Sequence, residues 1–408
     1  MQRYLIFFSY IGTRFRGAQT QLPPNVLPRV PGASRMGELE DRATVQGLFN
    51  VALKRFKPLN TPVLVLSSRT DAGVHALSSS GHCDLLHPRH ELGAKYQPDF
   101  IRNGLNRYFD KAKAEVSVHR VLPVPESVHA RYSAAGREYL YRLGVVRDHA
   151  WPDGSDGRTV RALTPIGERY RSYVVGGEFC LARVRQCAAL LSGEHDFRTF
   201  MGSQNRPQED VRTLRDLQIE ITPGGTAVPS PDIDFWNIHF RSQGFLFRQV
   251  RRTVGVLVSC GRGKMSLDDV RHMLENPDKG SWNSLAATAP PHGLYLSRVT
   301  YRLGPTEGGG GIATEGGGRP AKDKGTPAED GKGEKGQDRK EDRTDTVPPA
   351  DHTVCVDLES ARDRESPSEE LSGRQTAVTD GAGEMAEGDG QMSDSASYGG
   401  DSVGRTRG

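Results

Sequence analysis

The sequence predicts an α+β fold, in which two related α/β sandwich domains share an antiparallel sheet with helices on one face. Two observations support this prediction. Strand-like and helix-like segments alternate, in the order strand, helix, strand, helix within each half of the first 303 residues. Their apolar residues repeat with a period of about two or about 3.6, which distinguishes strands from helices. The predicted domains are residues 1–122 and 123–303, followed by a disordered acidic tail, 304–408.

The first half begins with a segment rich in aromatic and branched residues, RYLIFFSY, which predicts a strand. The segment TVQGLFNVALKRF predicts an amphipathic helix with Thr44 as its N-cap, because its apolar residues fall on one face. A short apolar strand, TPVLVLSS, is expected next. A second helix near 98–108 and a strand over AEVSVHRVL complete this half.

The second half predicts the same alternation. A strand, REYLYRLGVV, precedes a helix near 184–191 and two strands, TLRDLQIEI and FWNIHFRS. A helix over LFRQVRRTVGVLV and a strand near 297–303 follow. Glycine and proline predict loops at 154–158 and 223–231.

The charge is distributed unevenly along the chain. The first 303 residues contain 41 basic and 28 acidic residues, a balance of +13, whereas residues 304–408 contain 13 basic and 23 acidic residues, a balance of −10. A basic body indicates a polyanionic partner such as nucleic acid, although surplus charge can also serve solubility alone. The tail has no Phe or Trp and too little apolar surface to offset its ordering entropy, so we expect it to be disordered.

The cysteine content predicts an intracellular protein that is not secreted. There are five cysteines, an odd number, and no CxxC pair, which argues against a disulfide framework and a zinc site. No acidic residue precedes Glu38, and such an arginine-rich start is compatible with a mitochondrial transit peptide. Because RYLIFFSY predicts a strand, we expect no simple cleaved signal and a mitochondrial or cytoplasmic location. No apolar run is long enough to predict a membrane span.

The segment SSRTDAGVHAL places Arg69, Asp71 and His75 just after a predicted buried strand. A strand end followed by a glycine-containing turn holds reactive side chains rigidly and exposes them. An aspartate stabilised as an anion by a nearby arginine can act as a nucleophile or a base. An aspartate that only caps the turn explains this segment equally well.

Two further segments carry candidate site residues. In the predicted arginine helix, Arg251 falls on the border of the apolar stripe, where its head can reach a cleft, whereas Arg248 and Arg252 point away from the stripe. In REYLYRL, Tyr139 and Tyr141 face the same side of a strand and could stack on unpaired bases. Solvated arginines and tyrosines packed under a helix are the alternative interpretations. The apolar stripe of the helix contains Leu246, Val250, Val254 and Leu257.

Six motifs in order resemble those of the TruA-type tRNA pseudouridine synthases, in particular their animal branch. They are TVQGLFNVAL, SSRTDAGVHAL, HARYSAAGREYLYRL, SGEHDFRTF, FLFRQVRRTVGVLV and APPHGLYL. The resemblance spans about residues 3–303 and leaves the tail uncovered. It implies two related α/β domains with the active site in a cleft between them, and a homodimer that binds RNA, with tRNA expected first. It implies the isomerisation of uridine to pseudouridine without a metal or other cofactor.

The resemblance also implies roles for individual residues. Asp71 matches the catalytic aspartate that attacks the nucleoside, and Arg69 matches the neighbour that helps to flip the base. Tyr139 matches the tyrosine that stacks on the target uracil and can act as a base. Arg251 matches the arginine that pairs with the aspartate. A flipped base needs an aromatic platform and apolar walls, and the motif residues that match the walls are Leu294 and Leu296.

The sequence departs from the family pattern at two positions. Ile11 replaces the usual acidic residue of a Tyr-Asp-Gly motif, and Ala18 replaces the tryptophan of a Gly-Trp-Gln motif. Because both positions lie outside the catalytic set that the resemblance implies, we expect the departures to bear on RNA docking and substrate choice more than on the chemistry. Two alternatives to an active synthase stay open: a catalytically weak RNA-binding or ribosome-assembly factor on the same fold, and a hydrolase with an aspartate nucleophile.

Deletion of residues 304–408 is expected to leave catalysis intact, because no motif lies there and the composition cannot build a core. The rate of pseudouridine formation by the full and shortened chains on the same RNA tests this expectation. A stable but inactive shortened protein would contradict it. Tighter non-specific RNA binding after the deletion would indicate that the acidic tail screens the basic body.

Overall fold

A computed structural model describes residues 1–20, 41–202, 213–226, 229–302, 304–306 and 311–313. Its centre is a mixed sheet of ten strands with the order β4-β1-β3-β10-β5-β9-β8-β7, in which β2 pairs with β3 and β6 pairs with β5. The strands are β1 (Gln2–Tyr10), β2 (Val65–Leu66), β3 (His75–Leu85), β4 (Val116–Val124), β5 (Ala134–Val146), β6 (Tyr173–Val175), β7 (Gly193–Asp196), β8 (Leu214–Pro223), β9 (Ile233–Ser242) and β10 (Leu294–Tyr301).

The described residues form six α-helices. Residues of α4 pack against α5 and α6, while α1 packs against α2. An aromatic chain joins the first half, because Phe49 of α1 lies 4.6 Å from Phe8 of β1 and 4.9 Å from Phe109 of α2, measured between ring centroids. The helices are α1 (Val45–Lys54), α2 (Pro98–Lys111), α3 (Gly157–Leu163), α4 (Leu181–Leu191), α5 (Gln249–Gly261) and α6 (Leu267–Glu275).

Two strand pairs are parallel, so the prediction of an antiparallel sheet is wrong for them. These pairs are β3 with β10 and β5 with β6. His75 pairs with Tyr295 and Ala76 with Leu296, at the first residues of β3 and β10. Because parallel strands begin at the same edge of a sheet, the segments that precede β3 and β10 lie side by side, although they are far apart in the sequence.

Most predicted elements are present. The first strand, the first two helices, the strands equivalent to β4, β5, β8 and β9, and the helix α4 all lie where the patterns predict them. The Thr44 side chain accepts a hydrogen bond from the backbone of Gly47, which confirms it as the N-cap of α1. The last strand begins three residues earlier than predicted, at Leu294.

The segment TPVLVLSS differs from its prediction, because only Val65 and Leu66 pair as a strand. The side chains of α1 replace the missing sheet partners of Leu64. Its backbone N–H donates to Asn50 Oδ1 at 2.8 Å, and its carbonyl oxygen accepts from Gln46 Nε2 at 2.8 Å. The apolar pattern therefore predicted burial of this segment correctly, but not the source of its hydrogen bonds.

The strand β3 was not predicted, although it lies at the centre of the sheet. Its sequence, HALSSSGHCDL, has three serines and a glycine in place of an apolar run. The predicted loop at 154–158 is also interrupted, because α3 begins at Gly157 with Asp156 and Thr159 as a capping box.

The division into domains at 122/123 stays a prediction, and this limit falls inside β4. Two short strands, β11 (Gly304–Thr306) and β12 (Gly311–Ala313), pair with each other at the start of the predicted tail. The rest of the predicted disordered tail lies outside the described residues. In the part of the chain that the structure describes, no helix combines the length and the apolar character of a membrane span.

The folded protein is expected to lose stability as the pH falls from about 6.5 to about 4. Burial lowers the pKa of both His75 and His82 from 6.5 to about 4. Between these pH values the unfolded chain binds protons that the folded chain does not. The stability that these two histidines contribute is therefore complete above about pH 6.5 and is lost as the pH falls toward about 4. Urea unfolding midpoints at about pH 7 and about pH 5 test this expectation.

The variant His82→Gln should reduce the difference between the two midpoints, because one of the buried neutral histidines is then absent. The variant His90→Gln serves as the matched control, since His90 is exposed. Equal midpoints for the unmodified protein at both pH values would contradict the assignment of His75 and His82 as buried neutral groups.

Candidate active site

Asp71 lies in the loop between β2 and β3, and the segment after β1 holds this loop through backbone hydrogen bonds. The backbone N–H of Ala18 donates to the carbonyl of Thr70 at 3.1 Å, and Gly73 N–H donates to the carbonyl of Phe15 at 3.3 Å. The loop closes on itself through a hydrogen bond of 3.2 Å from Val74 N–H to the carbonyl of Asp71. These bonds fix the backbone on both sides of Asp71.

Two glycines permit this close packing. A β-carbon at Gly12 would lie 1.8 Å from the carbonyl oxygen of Val74, so only glycine allows the two segments to touch. Gly73 has a φ of +79°, and a β-carbon there would lie 3.1 Å from the Pro291 side chain. Gly73 therefore allows the turn of this loop, and it also allows the residues before β10 to pack closely against the loop.

His75 has a structural role at the start of β3. Its Nδ1 accepts a hydrogen bond of 2.9 Å from Gly12 N–H, which requires the proton to lie on Nε2. Nε2 donates to the carbonyls of Tyr170 and His292, both at 3.1 Å. Burial lowers the pKa of His75 to about 4, so this histidine is neutral and joins three segments of the chain.

Asp71 pairs with Arg251, which confirms the predicted contact. Arg251 Nη1 donates to Asp71 Oδ2 at 2.7 Å, and the two side chains are 13% and 22% exposed. A charge-assisted hydrogen bond of this length stabilises the carboxylate and fixes its direction. Among the described residues no hydrogen bond is made with Asp71 Oδ1, so this oxygen is the one available to a substrate.

The residues before β10 hold the guanidinium of Arg251 in place. Arg251 Nε donates to the carbonyl of Ala289 at 2.8 Å, and Ala289 N–H donates to the carbonyl of Arg251 at 3.0 Å. Among the described residues, the guanidinium of Arg251 therefore makes one hydrogen bond to Asp71, through Nη1. One nitrogen binds Asp71 and another binds the main chain, which orients the guanidinium.

Arg248 contributes to the site in a way that helical periodicity did not predict. It precedes α5 as its N-cap, with a left-handed φ of +58°. Its Nε lies 3.9 Å from Asp71 Oδ2, and its guanidinium lies 4.9 Å from the centroid of the Phe247 ring. The helix begins after Arg248, so its direction does not follow the helical wheel. A left-handed residue other than glycine often marks a functional site.

The helical wheel predicted that Arg252 points away from the apolar stripe of the helix. Its side chain does not extend into solvent there, because neighbouring segments pack beside α5. Its Nη2 donates to the carbonyl of Thr199 at 3.1 Å, and its guanidinium lies 3.6 Å from the centroid of the Trp282 ring. Burial, and Arg248 next, lower the pKa of Arg252. Val250, Val254 and Leu257 are buried on α5, as the stripe predicted.

Tyr139 is buried in β5 next to the Asp71 loop. It pairs with Leu296 of β10 across the sheet, and its ring packs edge-on against Phe245 at 5.0 Å between centroids. Burial raises the pKa of Tyr139 to about 12, while Arg137 and a hydrogen bond with Ser68 act in the opposite direction. At neutral pH its hydroxyl is therefore protonated.

Of the other candidate residues, three are buried in the sheet and one is exposed. Tyr141 is fully buried, and its hydroxyl donates to the carbonyl of Pro290 at 2.9 Å, so it anchors the segment before β10. Leu294 and Leu296 are buried in β10, opposite Tyr141 and Tyr139. Arg69 is exposed two residues before Asp71.

The two departures from the family pattern lie close to the site loop. Ala18 is buried, and its N–H holds the residue before Asp71 as described above. Ile11 is half-buried and donates its backbone N–H to the carbonyl of Glu115 at 3.0 Å. The described residues bring together no group of three or more histidine, cysteine or carboxylate side chains that could hold a metal ion.

Comparison with known proteins agrees with this geometry. A family model of tRNA pseudouridine synthase matches residues 187–302, which include Arg251, Leu294 and Leu296. The chain is 33% identical over 306 residues to tRNA pseudouridine synthase-like 1 of Homo sapiens, covering 73% of this chain and 90% of that protein. The chain belongs to the tRNA pseudouridine synthase family. It is also 31% identical to tRNA pseudouridine synthase A of Ruegeria sp. (strain TM1040), over 74% of this chain and 96% of that protein. The resemblance that the six motifs indicated is confirmed.

The variant Arg251→Lys is expected to slow the chemical step about tenfold, and Arg251→Ala about a hundredfold or more. Lysine keeps the charge but cannot bind Asp71 and the Ala289 carbonyl with two nitrogens of one plane. Single-turnover rates at saturating enzyme measure this effect separately from affinity.

The matched control is Arg262→Lys. Arg262 follows the end of α5 and donates to the carbonyl of Gly176 at 3.2 Å, away from Asp71. The control should keep the rate of the unmodified protein. A change in RNA affinity alone for Arg251→Ala would show that Arg251 does not act through Asp71.

Proposed function

We propose that this protein isomerises uridine to pseudouridine in RNA, with tRNA as the substrate class, and that Asp71 is the nucleophile. The hydrogen bond of 2.7 Å between Arg251 and Asp71 carries the proposal, because it orients the carboxylate through Oδ2 and occupies only one of its two oxygens. The family membership and the tRNA in the names of the relatives support the reaction and the substrate class.

The proposed reaction conserves every atom of the nucleoside. Asp71 Oδ1 bonds to the sugar carbon C1′ as the bond from C1′ to N1 breaks, and the uracil leaves with the electron pair. After the base rotates, its C5 bonds to C1′ and displaces the carboxylate. The hydrogen of C5 is then lost as a proton, and N1 gains a proton. No oxidant or reductant is required, since the product is an isomer of the substrate.

Tyr139 is proposed as the aromatic platform for the uracil ring. Its burial, its protonated hydroxyl and its position beside Leu296 suit stacking and hydrogen bonding with a base. A pKa of about 12 disfavours the phenolate in the resting site, so stacking is assigned to Tyr139 in preference to proton abstraction. Arg69, exposed in the same loop as Asp71, is proposed to support the flipped nucleotide, and Leu294 and Leu296 are proposed to form the apolar wall.

The proposal includes the finer architecture that the family implies. Two related domains would meet where β3 of the first half pairs with β10 of the second half, which is where the Asp71 loop and the Arg251 helix approach each other. A homodimer and a mitochondrial or cytoplasmic location belong to the same proposal. An RNA-binding factor without catalysis is less well supported, since binding alone does not require a positioned carboxylate.

Release of tritium from RNA that contains uridine labelled at C5 tests the proposal, because only this isomerisation replaces the C5–H bond with a bond to C1′. The full chain should release tritium from an unmodified tRNA transcript. The variant Asp71→Asn fills the same space without the anionic oxygen, so its rate should fall at least about a hundredfold while RNA binding persists.

The matched control is Asp99→Asn, which removes an exposed carboxylate that pairs with Arg102 on α2. Its rate should equal that of the unmodified protein. More than about a hundredth of the rate remaining in Asp71→Asn would exclude Asp71 as the nucleophile.

A further inference from the structure

A pocket of about 330 Å³ opens beside the loop that follows β1 and has a strongly basic lining. Four arginines line it, and Glu115 is its single carboxylate. They come from separate parts of the chain, the loop after β1 and the segment between β5 and β6. The four are Arg14, Arg161, Arg169 and Arg171.

Most of this positive charge has no carboxylate partner within the described ranges. Arg171 Nη2 lies 3.3 Å from Glu115 Oε1, which accounts for the one acid. Arg169 Nη2 donates instead to the backbone carbonyl of Arg161 at 3.3 Å. Arg14 and Arg161 are exposed and form no ion pair with a described residue. A concave site with several guanidinium groups is suited to a phosphate, which accepts their paired N–H donors.

The backbone beneath the pocket is firmly held. Glu168 forms an ion pair of 2.8 Å with Arg142, and both side chains are largely buried. Tyr295 donates its hydroxyl to the carbonyl of Arg171 at 2.6 Å. His75 binds the carbonyl of Tyr170 at 3.1 Å. Arg169 and Arg171 therefore project from a fixed backbone and not from a free loop, which lowers the entropic cost of binding an anion.

Tyr170 adds an aromatic surface to the same pocket. It has a φ of +60°, a conformation that residues other than glycine rarely adopt, and 57% of the residue is exposed. Exposed aromatic rings next to arginines are typical of surfaces that bind single-stranded or looped nucleic acid. Strain of this kind often marks a functional position.

The pocket is linked to the active-site loop by direct contacts. Arg171 Nη1 donates to Thr13 Oγ1 at 3.3 Å, and the neighbouring Gly12 contacts Val74 and His75. An RNA strand that enters the active site must continue past the target nucleotide on both sides. A basic pocket so close to the loop favours this RNA as its occupant over an unrelated anion.

We propose that this pocket binds a backbone phosphate of the RNA substrate at a nucleotide away from the target uridine, with Arg14 and Arg161 as its exposed contacts and Tyr170 as an adjoining stacking surface. This inference rests on the proposed function for the identity of the RNA. It assigns the segment between β5 and β6 to substrate binding, although none of the candidate site residues lies in that segment.

The double variant Arg14→Gln with Arg161→Gln tests the proposal in the full chain, with an unmodified tRNA transcript as the probe. The two arginines bind one backbone phosphate in this proposal, so the slope of log affinity against log salt should fall by ~1 and the affinity roughly tenfold at low salt. The tritium-release rate at saturating enzyme should stay within about twofold of the unmodified value, because neither residue touches Asp71.

The matched control is Arg107→Gln with Arg271→Gln, which removes the same charge from exposed positions on α2 and α6. This control should leave the slope of log affinity against log salt unchanged. The double variant Arg14→Lys with Arg161→Lys should keep most of the slope, because lysine retains the charge. An equal loss in the control, or an unchanged slope in the pocket variant, would overturn the proposal. Unfolding midpoints should match across the variants, which excludes loss of folding as the cause.

A second measurement distinguishes RNA phosphate from a free anion. Inorganic phosphate can be compared with chloride at equal ionic strength by its effect on the unfolding midpoint. Stabilisation of the unmodified protein by phosphate, lost in the pocket variant while RNA affinity is the same, would show a small-anion site and contradict the RNA assignment. RNA affinity is measured without catalysis. An unchanged salt slope would therefore contradict the pocket proposal alone, whereas absence of tritium release would contradict the isomerase proposal alone.

Discussion

The contact between Asp71 and Arg251 depends on the parallel pairing of β3 with β10. These strands are far apart in the sequence, and His75, the first residue of β3, pairs with Tyr295, the second residue of β10. The Asp71 loop and the segment that holds Arg251 therefore meet at one edge of the sheet. Gly12 and Gly73 then allow the flanking backbones to approach closely enough to fix the loop.

His75 and Asp71 lie only four residues apart, but they differ in burial and therefore in the contacts that they make. His75 is enclosed and neutral, and its two ring nitrogens join the loop after β1 to the segments near Tyr170 and His292. Asp71 stays partly exposed, and Arg251 binds one of its two carboxylate oxygens. The segment that follows β2 thus combines a buried neutral histidine, which joins neighbouring segments, with a partly exposed carboxylate, which we propose as the nucleophile.

Sequence patterns predicted most of the helices and strands, and the pairing of Arg251 with Asp71 followed from a family resemblance. They did not predict β3, because its serines and glycine carry no apolar alternation and its stability comes from neighbouring strands. They placed Arg248 incorrectly because the wheel assumes a helix that begins at Leu246, three residues earlier than α5 does at Gln249. The basic pocket was also missed, since its arginines are brought together only by the fold.

A double-mutant cycle on the free energy of unfolding tests the central claim most directly, using Asp71→Asn, Arg251→Gln and the combination. If the two side chains are paired in solution as described, their effects should be non-additive by about 1 kcal/mol or more at low salt. The coupling should shrink only modestly at high salt, because both groups are largely shielded from solvent. Additivity within about 0.3 kcal/mol would contradict the claim that this ion pair organises the active site.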